Sequence, residues 1–303
     1  MFPVLGGPIV AIILGLLVGQ FAGQRASWKA GTTFAGKKVL QASIVMLGAT
    51  MSLGQVASTG GRTLPVLFGT LTVALLGGWL LAKLLRIEKV LGQLVTYGTG
   101  ICGASAIATM SAVIGAPATA IALSITVIVV YNVLGAIFFP LIGHAMGLSQ
   151  AAFGLWAGTA INDTSSVVAA ATVYGATAAT VAVVVKLTRT LAIVPLALYE
   201  SWRTHRHSEA GTRPVWWRLI PTFLVLFLVA AAARSVGIVP ASWGPVISQL
   251  AYIGTTVAMA AVGMGSSLRH IKQAGWRPVL LGGLLWVLVG SSSLILQRLT
   301  GTI

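Results

Sequence analysis

The chain has 303 residues, of which 57% are hydrophobic and only 8% are charged. A soluble domain carries roughly a quarter of its residues as charged side chains, so this composition excludes a soluble protein and predicts an integral membrane protein. A formal net charge of +15 would suggest nucleic acid in a soluble protein, but in a membrane chain the position of the basic residues carries more information than their sum.

Apolar runs of about 20 residues are long enough to cross a hydrocarbon layer of about 30 Å as helices. The chain contains about ten such runs, and no soluble domain remains between them. We therefore predict an all-α, polytopic membrane protein with about ten transmembrane segments, forming a single transporter domain over residues 1–303. The predicted segments are residues 3–22, 38–58, 64–85, 90–114, 118–146, 150–175, 177–200, 219–236, 241–268 and 278–298.

The basic residues predict the orientation of these segments. Fourteen of the 19 lysines and arginines follow segments one, three, seven and nine, and such an excess is typical of cytoplasmic loops. The cations therefore indicate topology rather than a nucleic-acid partner, and both chain ends are expected outside the cytoplasm. Because segment one lacks a positive n-region and a cleavage motif, we expect a retained helix rather than a signal peptide. The fourteen basic residues are Arg25, Lys29, Lys37, Lys38, Lys83, Arg86, Lys89, Arg203, Arg206, Arg213, Arg218, Arg269, Lys272 and Arg277.

Two internal repeats are visible. Residues 45–67 align with residues 260–280 with a two-residue gap, and the charge placement predicts that this repeat is inverted in the membrane. Residues 98–135 align with residues 158–195, and GTGICGASAIATMSAVIGA matches GTAINDTSSVVAAATVYGA without a gap. Small residues recur by chance in membrane helices, but gapless agreement over this length favours duplication.

Each copy of the second repeat begins with a stretch rich in glycine and threonine, midway along an apolar segment. We refer to residues 98–105 as the first break and to residues 158–165 as the second break. Irregular backbone at membrane depth is tolerated only where it lines a cavity or is buried in protein. Two helix N-termini meeting there, capped by small hydroxyl residues, would attract an anion. The predicted substrate-binding residues of the breaks are Gly98, Thr99, Cys102, Gly103, Ser105, Gly158, Thr159, Asn162, Asp163, Thr164 and Ser165.

The path of the two broken segments is open at this point. Segments four and six either cross the membrane fully or fold back as re-entrant hairpins, and both choices return segment seven to the cytoplasmic side. If both are hairpins, they enter from opposite sides and the second repeat is inverted like the first. We expect this consistent arrangement.

Three ionisable side chains lie inside predicted segments, where each costs at least about 2.5 to 3.5 kcal/mol. Asp163 lies in the second break, and Lys186 and Arg189 share one face of segment seven. One interpretation is a buried ion pair that fixes the packing of the helices. Two cations and one carboxylate, however, leave one positive charge in excess. An anionic substrate, or a Lys186 that releases its proton, would balance this excess. We predict that Lys186 and Arg189 bind substrate and that Asp163 takes a coupling Na⁺ or H⁺.

Other features narrow the function. The single cysteine excludes a multi-cysteine metal site, and we expect no cofactor. Asn132 is expected to hydrogen-bond between helices. No second acid and no mid-helix histidine is visible inside a segment, so we expect no enzyme. A nucleotide-binding GxxxxGK[ST] motif is absent from the sequence, so the energy should come from a gradient. The expected partners are a small anion, a coupling ion and the lipid bilayer, and a homodimer is left open.

The motifs GTGICGASAIA, AGTAINDTSSVVAA, VVKLTRTLAIVPLAL and AMAAVGMGSSLRHIKQAGWRPVL occur in this order and cover nearly the whole chain. In these motifs the chain resembles the YeiH-type sulfate exporter family of bacterial inner-membrane proteins. The family looks distantly related to the bile-acid symporter and cation/proton antiporter superfamily, which implies inverted repeats and two broken helices that meet at the substrate site. Many members carry histidine before the acid where this chain has Asn162, so a proton-shuttling histidine is missing there. Members often begin with one more hydrophobic helix, so the resemblance implies a trimmed or naturally short chain.

Two functions follow from the sequence. The first is a secondary transporter that moves a small anion, such as sulfate or a sulfonate, by alternating access. The second is a cation/proton antiporter in which Asp163 binds Na⁺ or H⁺ and Lys186 is its internal counter-ion.

Overall fold

The computed structural model of the chain describes residues 7–21, 26–205, 221–265 and 275–302. These residues are almost entirely helical and form no strand, so the all-α prediction is confirmed. Within these residues, five stretches are long and apolar enough to cross a membrane, judged by length and composition. They are Leu53–Leu84, Ala118–Ala145, Ala176–Arg203, Ala241–Gly265 and Trp276–Leu299.

The described ranges contain fourteen α-helices, a π-helical turn at Ala35–Val39 and a 3₁₀ turn at Ala241–Trp243. The α-helices are α1 (Gly7–Phe21), α2 (Ala26–Phe34), α3 (Leu40–Gly48), α4 (Leu53–Leu84), α5 (Lys89–Gly100), α6 (Ala104–Ile114), α7 (Ala118–Ala145), α8 (Gln150–Ala160), α9 (Thr164–Tyr174), α10 (Ala176–Leu191), α11 (Ile193–His205), α12 (Thr222–Ser235), α13 (Gly244–Gly265) and α14 (Trp276–Leu299). The predicted cations at 25, 206, 213, 218, 269 and 272 lie outside the described residues.

The predicted border between segments two and three is wrong. The prediction ran segment two to residue 58, but α3 ends at Gly48 and α4 begins at Leu53. Ser52 is the N-cap of α4, and its hydroxyl accepts the amide of Gln55 at 3.2 Å while the Gln55 side chain accepts the amide of Ser52 at 2.8 Å. This capping box starts a new helix inside an apolar stretch. Hydropathy alone cannot detect such a start, because the surrounding residues remain apolar.

The helix that carries both buried cations is continuous except for one turn. Helices α10 and α11 together form the span Ala176–Arg203, and the break between them falls at Ala192. Pro195 follows three residues later and has no amide to donate to the carbonyl of Leu191, which explains the interruption there. The span therefore connects Lys186 with Glu200 and Arg203 at its far end.

Small residues bring neighbouring helices into backbone contact. Gly15 of α1 packs so closely on α13 that an added Cβ would lie 2.2 Å from the carbonyl oxygen of Ala260. Gly154 and Gly158 of α8 form the same kind of face, and a Cβ on Gly158 would lie 2.9 Å from the carbonyl oxygen of Ala182 on α10. Such spacing is typical of membrane helices that pack through small residues. It holds α8 against the helix that carries the cations.

Each broken segment folds back on itself. The ring of Phe153, near the start of α8, stacks on Tyr174 at the end of α9 with 3.8 Å between centroids. The hydroxyl of Tyr174 donates to the carbonyl of Leu148 at 2.6 Å. In the other pair, α6 packs on α5 and on α11, and Gly98 of α5 faces Ile107 of α6. Both pairs are therefore helical hairpins whose tips are the two breaks.

Replacing Gly158 by alanine tests the contact between α8 and α10. The new methyl group would meet Val185 and the carbonyl of Ala182, and such overpacking costs roughly 1 to 3 kcal/mol. The matched control is Gly61→Ala on α4, where a Cβ would meet nothing within 4 Å. Thermal unfolding in detergent should show a lower Tm for G158A and an unchanged or higher Tm for G61A. Equal Tm values for the two variants would contradict this packing.

Candidate functional site

The two breaks fall at matching positions of the aligned repeat. Helix α5 ends at Gly100 and α6 begins at Ala104, while α8 ends at Ala160 and α9 begins at Thr164. Each pair is separated by 60 positions, which is the offset of the gapless alignment. The predicted interruption of both segments therefore exists, and in both copies it spans three residues.

The tips of the two hairpins touch. Gly103 has φ +72°, a conformation that strains any residue with a side chain. A Cβ at this position would lie 3.6 Å from the carbonyl carbon and oxygen of Asn162. The first and second breaks are thus in van der Waals contact.

Lys186 connects the two tips by hydrogen bonds. Its ammonium group donates to the carbonyl of Ile101 at 3.1 Å and to the carbonyl of Ile161 at 2.9 Å. These carbonyls follow the last turns of α5 and α8, where the helices leave acceptors without an intrahelical donor. The side chain is fully buried, so these bonds replace the water that the ammonium group loses.

Arg189 repeats this connection one turn further along the helix. Its Nε donates to the carbonyl of Gly100 at 2.8 Å, and its Nη2 donates to the carbonyl of Thr99 at 3.0 Å. Its Nη1 donates to the carbonyl of Thr159 on the other hairpin. The carbonyl of Gly98 accepts the amide of Gly103 at 2.9 Å. Every carbonyl from residue 98 to residue 101 therefore has a hydrogen-bond donor. The two cations therefore supply donors to carbonyls 99 to 101 of the first break and to carbonyls 159 and 161 of the second break.

These contacts also offset charge. Each helix end carries about half an elementary charge, negative at the C-terminus and positive at the N-terminus. The C-termini of α5 and α8 then offset about one of the two cations, and the N-termini of α6 and α9 offset about one carboxylate. The site keeps about one positive charge in excess.

Asp163 is the N-cap of α9. Its carboxylate accepts the amide of Ser165 at 2.9 Å and the hydroxyl of the same residue, and its own amide donates to the side chain of Asn132 at 3.0 Å. The expected interhelical bond of Asn132 is thus present. The expectation that hydroxyl groups cap both helices is wrong, because a carboxylate caps α9 and the N-cap of α6 is Gly103, which has no side chain.

Within the described ranges, no direct ion pair joins Asp163 to Lys186 or Arg189. The salt bridge found in these ranges joins Arg203 to Glu200. Lys186 and Arg189 lie behind the backbone, with 0% and 2% of their surface exposed. The accessible groups are instead Ser105, which is exposed, and Asp163 and Thr164, which are partly exposed. A ligand at the tips would meet these three residues before either cation.

Several predicted site residues lie in packed contacts away from this accessible surface. Gly98 faces Ile107 and Ile128, and Gly158 packs on α10. The hydroxyl of Thr159 lies 2.6 Å from that of Ser293 on α14. Cys102 is buried in the apolar cluster of α5, α6 and α7. The structure places these four residues around the tips, where they hold the helices in position.

Two buried oxygen atoms at the tips have no hydrogen-bond partner among the described residues, the hydroxyl of Thr99 and the side-chain oxygen of Asn162. Buried polar groups are nearly always paired, so each such atom calls for an explanation such as an ion or a water molecule. In the described chain no group of three His, Cys, Asp or Glu residues could hold a metal ion. A small cation at these oxygens would have to use hydroxyl, amide and single-carboxylate ligands.

The expectation that no second acid lies inside a segment is wrong. Glu200, 1% exposed, accepts a hydrogen bond from the hydroxyl of Tyr97 on α5 and pairs with Arg203 at 2.9 Å. Sequence reasoning missed it because segment seven was expected to end at this residue. The spacing of Glu200 and Arg203 on one helix face is the signal that could have identified the pair.

The chain is similar over its whole length to proteins of one family. The model described as "Conserved hypothetical protein 698" matches residues 1–282. A "UPF0324 membrane protein" of Streptococcus pneumoniae is 36% identical over 308 residues, which cover 99% of this chain and 91% of that protein. Proteins with the same description from Streptococcus pyogenes and Clostridium tetani are 38% and 34% identical, covering 99% and 100% of this chain and 92% of each relative. No solved structure matches the chain.

The aligned threonines of the two breaks provide a matched test. Thr159→Val removes the contact with Ser293 and should cost about 1 kcal/mol, whereas Thr99→Val removes a buried hydroxyl that has no partner among the described residues and should leave stability equal or higher. The two Tm values should be compared in Na⁺-free buffer and again with Na⁺. A stabilisation by Na⁺ that T99V loses and T159V keeps would identify the Thr99 oxygen as a ligand. An equal loss of stability in both variants without Na⁺ would show that the Thr99 hydroxyl has a partner.

Proposed function

The chain belongs to the conserved hypothetical protein 698 family of UPF0324 membrane proteins, and we propose that it is a secondary transporter of a small anion. This membership confirms the YeiH-type resemblance of its motifs. The proposed location is the bacterial inner membrane, with the basic ends of the helices in the cytoplasm. The proposed substrate is an oxyanion such as sulfate or an organic sulfonate, and the protein is proposed to move it without catalysing a reaction.

One observation carries this proposal, the contact between two helix breaks that are joined by buried cations. Lys186 and Arg189 both connect carbonyls of the first break with carbonyls of the second break. A protein that needed only ten uninterrupted spans would have no use for this arrangement, because each break exposes backbone that must be satisfied. Discontinuous helices that meet in this way are typical substrate sites of secondary transporters.

The charge of the site favours an anion. After the helix ends are included, about one positive charge remains at the tips. The N-terminus of α6 has no side chain as a cap, and Ser105 beside it is exposed. The amides at the start of α6, a hydroxyl group and a positive field together favour an oxyanion. In this proposal Lys186 and Arg189 act through their field and hold the tips, while Ser105 and Thr164 contact the substrate.

The proposed topology has about ten crossings, with the two hairpins entering from opposite faces. The repeats 45–67 with 260–280 and 98–135 with 158–195 are then inverted copies. Helix α9 packs on α1 and α13, and α6 packs on α11, while α7 and α14 contact both hairpins. Alternating access would follow from movement of the hairpins and α10 against α1 and α13, driven by an ion or substrate gradient.

A second candidate is the cation/proton antiporter with Asp163 as its ion site, and one observation favours it. The oxygens of Thr99 and Asn162, which have no partner in the described part of the chain, lie in the two breaks, and the second break also carries the partly exposed carboxylate of Asp163. Oxygen atoms of this kind are ligands for a hard cation such as Na⁺. Lys186, which donates to the carbonyl of Ile161 in the second break, would then be the internal counter-ion of Asp163. The same oxygens would serve as the coupling site in the anion transporter.

Asp163→Asn separates the charge of the carboxylate from its capping role. Asparagine is as good an N-cap as aspartate, so α9 should keep its start and the Tm should stay close to that of the native chain. Coupled uptake into proteoliposomes should be abolished, because no charge remains to exchange with the coupling ion. The control is Asp163→Ala, which removes the cap and should lose about 1 kcal/mol of stability. Normal uptake by a folded D163N variant would contradict the assigned role.

Ligand-induced stabilisation distinguishes the two candidate functions. A rise in Tm with sulfate or a sulfonate in Na⁺-free buffer is expected for the anion transporter, and Lys186→Met should remove it by taking away the positive excess. Arg277→Met removes an exposed charge in the first turn of α14 and should keep the rise. Since K186M also leaves two buried carbonyls without a donor, each shift is measured against the Tm of the same variant without ligand. Stabilisation by Na⁺ alone, with none by any oxyanion, would favour the antiporter.

A further inference from the structure

A cavity of about 680 Å³ lies between α4, α5 and α11. We call it the basic cavity, because Lys83, Lys89 and Arg203 line it. It is separate from the accessible tips, and no step of the proposed transport uses it. Its volume is within the range of small-molecule sites.

The polar side of the basic cavity carries a positive excess. Its lining contains three cations and one carboxylate, that of Glu200, so the lining carries a net charge of +2. Glu200 is buried and already holds Arg203 at 2.9 Å and the hydroxyl of Tyr97. Lys83 lies over the ring of Trp79 with 5.5 Å from its nitrogen to the centroid. The excess positive charge therefore calls for an anionic ligand.

The other side of the cavity is apolar and continues onto the outer surface of α4. Leu75, Leu76 and Trp79 belong to the lining. Leu76 is 64% exposed and Trp79 is 65% exposed, and Leu80 follows them on the same helix at 57%. Because α4 is long and apolar enough to span the membrane, this surface faces lipid chains. A free inorganic anion would gain nothing from such a wall.

We propose that the basic cavity binds an anionic phospholipid. The phosphate group lies among Lys83, Lys89 and Arg203, and an acyl chain follows Leu76 and Trp79 out to the bilayer. Basic pockets between transmembrane helices recognise anionic headgroups through the same combination of charge and apolar wall. The headgroup sits at the basic end of the helices, where the positive residues of the chain also meet the membrane surface.

Such a lipid would join α4 to two helices that lead to the breaks. Helix α5 ends in the first break, and α11 continues the helix that carries Lys186 and Arg189. The hydroxyl of Tyr97 and the carboxylate of Glu200 already connect α5 with α11 beside the cavity. The bound lipid adds α4 to this connection and should stabilise the folded protein. This inference needs only a membrane location and is independent of what the protein transports.

The test compares nanodiscs of phosphatidylcholine with nanodiscs in which part of the lipid is phosphatidylglycerol. The native chain should gain about 3 °C or more in Tm with the anionic lipid, and native mass spectrometry should find phosphatidylglycerol retained on the purified protein. The variant Lys83→Gln with Lys89→Gln should lose both effects. The matched control is Arg86→Gln with Arg277→Gln, which removes two exposed cations of the same end that do not line the cavity.

Each Tm is compared with that of the same variant in phosphatidylcholine, so a general loss of stability does not affect the result. Equal gains for both double variants would overturn the proposal, because the effect would then be surface charge alone. A gain from inorganic phosphate in phosphatidylcholine nanodiscs that matches the lipid effect would also overturn it. Absence of any gain in the native chain would do the same.

Discussion

The structure depends on the need to satisfy backbone carbonyls where two helices are interrupted inside an apolar bundle. An unpaired carbonyl in hydrocarbon costs several kcal/mol, and each break exposes several of them. Lys186 and Arg189 supply the donors for both breaks from one face of α10. The cations themselves are tolerated because these carbonyls replace their hydration. Each feature would be costly without the other, so the breaks and the buried cations form one unit.

The scarcity of carboxylates has a related explanation. Asp163 lies where a negative charge is favourable, at the N-terminus of α9, and its bonds to Ser165 define where that helix begins. Glu200 lies between Tyr97 and Arg203 at the other end of the same span as Lys186. Each of these two acids is therefore matched to a fixed donor. A partly exposed carboxylate at a helix start can also exchange an ion, which makes a structural cap compatible with a transport role.

Packing through small residues sets the distances on which this site depends. The glycines of α8 bring its backbone onto α10, so that carbonyls 159 and 161 come within reach of the cations. Gly103 lets the first break approach Asn162 with a backbone that other residues would strain. On the outer side of the bundle, Gly78 of α4 leaves room for Thr96 of α5 beside the basic cavity. Close helix contacts thus position the tips of the two hairpins, and they leave the basic cavity on the outer side of the bundle.

The sequence by itself determined the helical class, the two breaks, their alignment and the three charged residues around them, because apolar length, glycine content and isolated charges are local properties. It misplaced the start of α4 and missed the burial of Glu200, since a capping box and a continued helix are hidden within apolar residues. The partners of Lys186 and Arg189 could be decided only by the tertiary structure. They are backbone carbonyls, which every residue possesses, so no pattern of side chains marks them and only the packing of the two hairpins on α10 selects them.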